Sequence, residues 1–126
     1  GHDGLDELST TTTSTVLELR DGAVRTYVVD PAALGLAHAT ADQFRGGDAA
    51  TNADMARRVL DGEPGARRDI ALLNAAAGVV ASGLADDLPS GLEAAAASVD
   101  DGKAAAVLEA LVRTSKAQAA AAAAAG

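Results

Sequence analysis

Two adjacent carboxylates, Asp6 and Glu7, follow a glycine-containing turn (Gly1-His2-Asp3-Gly4) and precede a hydroxyl run, Ser9-Thr10-Thr11-Thr12-Thr13-Ser14-Thr15. Neighbouring acids repel each other unless something positive sits between them. Their hard oxygens suit Mg²⁺, which keeps several waters and takes one or two protein carboxylates plus substrate phosphates. On a loop, unlike a strand, adjacent side chains can be aimed at one centre. The same pair also fits a solvated turn or a helix N-terminus, where acids complement the macrodipole. Local sequence leaves both readings open.

Other residues with chemical potential are more isolated. His2 lies beside the acidic loop, and His38 has no second ligand at metal-site spacing, so a surface position accounts for each. Asp48 follows Gly46-Gly47 and suits a helix N-cap; an anion site there would be opposed by its charge. Asn74 is the polar exception in an apolar helix, and a buried amide must find partners, most simply by tying a neighbouring backbone in place. Arg68 and Asp69, at the start of that helix, are suited to tethering another segment. The threonine run offers hydroxyls to a phosphate or, by its β-branching, a polar lead-in to a strand.

The elements that must position these groups read as α+β. Val16-Leu17-Glu18-Leu19-Arg20 alternates with the period of a half-buried strand, Asp21-Gly22 is a hairpin signal, and Val24–Val29 is rich in β-formers. Residues 15–29 are therefore expected to be an antiparallel hairpin, followed by four or five helices. Asp30-Pro31 ends the hairpin, and Pro31–Gly35 predicts one helical turn closed by glycine. Thr40–Phe44 predicts another short helix, with Thr40 as N-cap and Gln43 as capping-box partner. The next helix, 49–60, shows Asn52, Ala56, Val59 and Leu60 at helical spacing, with Arg57 and Arg58 near its end. From Ala66 to about Leu84 the chain is most apolar, with Ile70, Leu73, Ala77, Val80 and Leu84 on one face and Leu72, Ala76 and Val79 widening it. Ser90 suits the cap of a helix through Leu92 and Val99. A last helix, Lys103–Gln118, would face inward with Val107, Leu108, Leu111 and Val112. Residues 119–126 are a low-complexity alanine tail.

The chain of 126 residues has the size of one domain and a formal charge of −8, from 18 acids against 10 Lys and Arg. That balance disfavours nucleic acid and anionic membranes as partners, both of which need basic patches. Cysteine is absent, which removes disulfides and thiolate metal sites. No secretory signal is visible, and outside the alanine tail no apolar run has the length of a membrane span. With Tyr27 and Phe44 as the aromatic residues, the core must be built from Ala, Leu and Val, which bury little area per residue. Marginal stability in isolation is expected.

Three stretches together resemble one known family. Gly4-Leu5-Asp6-Glu7-Leu8-Ser9, then Gly46-Gly47-Asp48-Ala49 with Asn52, then Arg68-Asp69-Ile70 running into Leu72-Leu73-Asn74-Ala75-Ala76-Ala77, match in order and gaps the C-terminal part of bacterial anthranilate phosphoribosyltransferase, as far as about Arg113. The resemblance implies an enzyme of tryptophan biosynthesis. It would transfer ribose 5-phosphate from phosphoribosyl pyrophosphate to the amino group of anthranilate, releasing pyrophosphate, in the cytoplasm. It implies that Asp6 and Glu7 hold a Mg²⁺ ion on the pyrophosphate, and that neither need act as a general base. The family's Gly-Thr-Gly-Gly-Asp loop and Lys-His-Gly-Asn segment are not found in this sequence; Gly46-Gly47-Asp48 lacks the preceding Gly-Thr. The expectation is a fragment, roughly the last third, with residues 1–118 belonging to the catalytic α/β domain. In that domain the acidic loop would lie at the C-terminal end of a mostly parallel sheet. The family dimerises through an N-terminal helical domain outside this chain, so the full-length enzyme is expected to be a homodimer.

Two other readings belong to different classes. Without its phosphate loop the chain would act as a noncatalytic helical packing module, with apolar faces awaiting other strands. A related nucleoside phosphorylase shares the fold family, but the Gly-Leu-Asp-Glu-Leu-Ser run favours the anthranilate branch.

Overall fold

The chain reverses most sharply at Asp21-Gly22, where both residues take positive φ, 52° and 77°. This is the backbone that a two-residue hairpin turn demands, and glycine takes it without steric cost. In the computed structural model, which describes residues 1–124, the turn joins β1 (Ser14–Arg20) to β2 (Ala23–Val29) as an antiparallel pair. Val16 lies opposite Tyr27, and Glu18 opposite Arg25. The alternation expected of β1 is present with its sides exchanged. Val16 and Glu18 are half-buried, whereas Leu17 and Leu19 are 69% and 73% exposed. Val24 and Val28 share that outward face, since each is paired with a residue on the same side of the pleat.

Two short 3₁₀ turns follow, Pro31–Leu34 and Ala41–Phe44, as the proline and the Thr40–Gln43 spacing predict. The first is capped by the Asp30 carboxylate, which accepts from Ala32 N at 2.9 Å, and closed by Gly35 at φ 78°. In the second, Gln43 Oε1 accepts from Thr40 N at 2.8 Å. Four helices complete the described chain: α1 (Ala49–Leu60), α2 (Ala66–Ala81), α3 (Leu88–Asp100) and α4 (Lys103–Ala124). The fold is therefore a hairpin followed by helices, as expected. No described helix is long and apolar enough to cross a membrane.

The core sits between α2 and α3. Leu72, Ala95 and Val99 form its centre, with Leu92, Ala96 and Ala104 packed around them. Leu73 and Ala76 are fully enclosed, and burying a leucine side chain contributes about 1.5–3 kcal/mol. Gly91 lets the two helices close: a Cβ there would stand 2.8 Å from the Ala76 carbonyl oxygen.

The sequence errs on which faces are covered. α1 buries no residue completely; Ala53, Met55, Val59 and Leu60 are half-buried, while Asn52 and Ala56 are exposed. α2 stops at Ala81, and Leu84 is 81% exposed in the turn beyond it. The N-cap of α3 is Asp87, whose carboxylate accepts from Ser90 N at 2.9 Å, so Ser90 is its capping partner and not the cap. In α4 only Leu108 of the four expected inward residues is half-buried; Val107, Leu111 and Val112 are exposed. The helix continues through Ala119–Ala124, and the last two residues of the alanine tail lie outside the described ones.

These open faces add up. The chain exposes 8054 Å², about a third more than the roughly 6,100 Å² that size scaling gives a self-contained monomer of this mass. Much of the excess is apolar, on the outer side of the hairpin and along α4.

Candidate functional site

The loop bearing Asp6 and Glu7 is curled by its own hydroxyls. The Asp3 carboxylate accepts from Leu5 N at 3.2 Å, from Ser9 Oγ at 2.6 Å and from the Thr11 hydroxyl. The Ser9 and Thr11 hydroxyl bonds, ahead of the backbone contribution, stabilise the ionised form and hold the Asp3 pKa down to about 2. Ser9 N donates to Ser14 Oγ at 2.9 Å, and Ser9, Thr10 and Ser14 are buried. His2 braces the opposite side: Nδ1 lies 2.8 Å from Thr13 Oγ1 and Nε2 lies 2.8 Å from Thr15 Oγ1, while its backbone N–H donates to Thr13 O. The threonine run is thus both strand lead-in and internal bonding partner.

Asp3 and His2 are the residues that reading the sequence undervalued. The signal was an acid followed six and eight residues later by hydroxyls, and a histidine facing a threonine run. Neither pattern specifies a bond until the loop is curled.

Asn74, half-buried on α2, reaches the loop from below. Its Oδ1 accepts from Leu8 N at 2.9 Å, and its Nδ2 donates to Leu8 O at 2.8 Å and to Ile70 O at 3.0 Å. The expected tether is therefore present, at the residue directly after Glu7. Arg68 is also a tether, to Asp100 on α3. Asp48 caps α1 by accepting from Thr51 N at 2.8 Å, and Asn52 closes the Gly46-Gly47 turn through bonds to Gly47 N and O. That N-terminus is filled by its own side chains. His38 is half-exposed, with Nε2 3.5 Å from the Asp30 carboxylate.

Asp6 and Glu7 themselves are exposed, and their carboxylates enter no hydrogen bond or ion pair with any described residue; the bonds in this stretch run through the Glu7 carbonyl and through Leu8. Both line an open cleft of about 880 Å³ between the loop, the hairpin and α2. Its charged side chains are mostly acids, with Glu18, Asp21 and Asp86 joining the pair against Arg20, which pairs with Glu18 at 2.9 Å. Glu7 also borders a second, more apolar cleft of about 530 Å³ walled by Leu5, Phe44, Ile70 and Asn74. Among the described residues no group of three or more His, Cys, Asp or Glu converges on one point. The two free carboxylates are hard oxygen donors. Such a donor set fits a Mg²⁺ ion whose remaining ligands are water and phosphate oxygens.

Loop, hairpin and helices together match the glycosyl transferase family, a/b domain, over residues 1–105, and the chain belongs to that family. Its relatives point further. It is 49% identical over 119 residues to the anthranilate phosphoribosyltransferase of Maricaulis maris, covering 94% of this chain and 35% of that protein. It is 51% identical over 115 residues to the enzyme of that name from Arthrobacter sp., covering 86% of this chain and 33% of the relative. The crystal structure of anthranilate phosphoribosyltransferase from Thermus thermophilus superposes with a TM-score of 0.78 at 34% identity, over 88% of this chain and 33% of that one. The chain spans about a third of the length of the curated relatives it matches.

Proposed function

We propose that this chain is the C-terminal third of an anthranilate phosphoribosyltransferase, and that Asp6 and Glu7 are its ligands for a Mg²⁺ ion carried by phosphoribosyl pyrophosphate. The observation that carries the reading is the pair of unengaged carboxylates on an acidic cleft wall, in a chain about half identical to enzymes of that name. The surplus of exposed apolar surface supports a chain that packs against further polypeptide.

Positive charge develops on the ribose as its C1 loses pyrophosphate, and a divalent ion bound there supplies electrostatic stabilisation of the leaving group. The work of this chain is to bind and orient. Asp6 and Glu7 offer charge-matched oxygens without a proton transfer. Asp3, held ionised by Ser9 and Thr11, keeps the loop curled. The apolar cleft beside Glu7 keeps one flank of the loop poor in competing hydrogen-bond donors.

The test is kinetic. In the complete protein, Asp6→Asn with Glu7→Gln should lower kcat/KM for phosphoribosyl transfer by about a hundredfold or more, followed by the loss of anthranilate fluorescence. The urea midpoint should stay unchanged, because neither carboxylate has a partner among the described residues. An undiminished rate with an unaltered magnesium response would overturn the proposal.

A further inference from the structure

We infer that Asn74 is a positioning residue that fixes the acidic pair to the most rigid part of the molecule. The inference rests on the proposed role of Asp6 and Glu7 and adds the group that sets their place.

A side-chain amide can bond a backbone residue at two points, and here it does, taking the N–H and offering to the C=O of Leu8 at 2.9 and 2.8 Å. A single hydrogen bond fixes a distance; two fix an orientation. The Leu8 N–H belongs to the peptide unit that joins Glu7 to Leu8. Asn74 therefore holds the peptide plane just after the acidic pair. The remaining Asn74 bond, to Ile70 O at 3.0 Å, stops the amide from rotating.

What Asn74 stands on matters as much. Its neighbour Leu73 and the next-but-one residue Ala76 are fully buried, so the anchor shares the rigidity of the α2–α3 core. Among the described residues the Asp6 and Glu7 carboxylates enter no hydrogen bond or ion pair. Their separation and aim therefore follow from the backbone on which they sit. Asn74 also lines both clefts that Glu7 borders, so it stands between the acidic wall and the apolar one. A merely structural asparagine would serve equally well at any loop; this one seizes the residue next to the acids.

Mn²⁺ binding to the complete protein, read by electron paramagnetic resonance with pyrophosphate present, tests the inference. Asn74→Ala should weaken Mn²⁺ affinity by about tenfold or more, as loss of a group that orients a ligand does. Amide hydrogen exchange at Leu8 should accelerate in the same variant. Asn74→Asp, which keeps the acceptor for Leu8 N and loses the donor to Leu8 O, should fall between. Asp48→Ala, which removes the cap of α1 and leaves the α2–α3 core intact, should lower thermal stability and leave Mn²⁺ affinity within twofold. Unchanged Mn²⁺ affinity in Asn74→Ala, or exchange at Leu8 as slow as in the parent, would overturn the inference. Failure of the metal reading itself has a different signature: Asp6→Asn with Glu7→Gln would then bind Mn²⁺ like the parent.

Discussion

Arg68 and Asp100 lock the first turn of α2 to the last residue of α3, one guanidinium nitrogen donating to both carboxylate oxygens at 2.8 and 3.1 Å. The two ends of the bond live in different surroundings. The arginine side chain is 13% exposed and the aspartate 58%. Removing the arginine leaves a carboxylate that water can still solvate, whereas removing the aspartate strands a largely enclosed cation.

Asp100→Ala is accordingly expected to cost more than a surface ion pair, about 1.5–3 kcal/mol. Arg68→Met, which keeps the apolar stem, should cost less than that. Urea unfolding of both variants checks the order, and an Arg68→Met loss that exceeds that of Asp100→Ala contradicts it.

Gly91→Ala should lower stability by about 1–3 kcal/mol, the range for forcing an extra methyl into a filled space. The added carbon would meet backbone, the Ala76 carbonyl at 2.8 Å, and Val80 Cγ2 at 3.2 Å, so α3 must shift as a unit. The helix propensity of alanine works in the opposite direction. A thermal midpoint equal to or above the parent's would show that the helices can separate without loss.

Asp3 makes stability depend on acid. Its pKa falls from 3.8 to about 2 in the fold, so the stabilisation is fully present above the unfolded value and is lost as pH falls through the folded one. Between about pH 4 and pH 2 the parent should lose a contribution that Asp3→Asn lacks at every pH. Urea midpoints at pH 7, 4 and 2 measure it. The gap between the two proteins should narrow as pH falls, and a constant gap would show that the hydroxyl bonds do not favour the ionised form.

The local grammar of this fold was readable, and its long-range geometry was not. Asp21-Gly22 set the hairpin because a two-residue turn is decided by its own backbone. Asp48 was recognisable as a cap because its partner, Thr51 N, is three residues away. Asn52 and Asn74 use one device, an amide that grips both polar groups of a loop residue, yet sequence alone suggested only the second. The covered faces of β1 and α4 were misread because apolar residues signal that a face will be covered, not by what. Leu17, Leu19, Val107 and Leu111 have that signal and no cover within the described residues. Of the site, Asp6 and Glu7 stood out by adjacency and by resemblance. The bracing by Asp3 and His2 emerges only once the loop curls.

The hairpin and the acidic loop, although consecutive along the chain, belong to different moments of self-assembly. Seven paired residues on each side of Asp21-Gly22 can zip without reference to anything else, a step that takes about microseconds. The grip on Leu8 closes across 66 residues, and contacts so distant bear their loop-closure entropy before they give anything back. The Leu8 backbone is therefore gripped only after α2 has formed and docked, and a nascent chain has its acidic loop in hand well before it can fasten it.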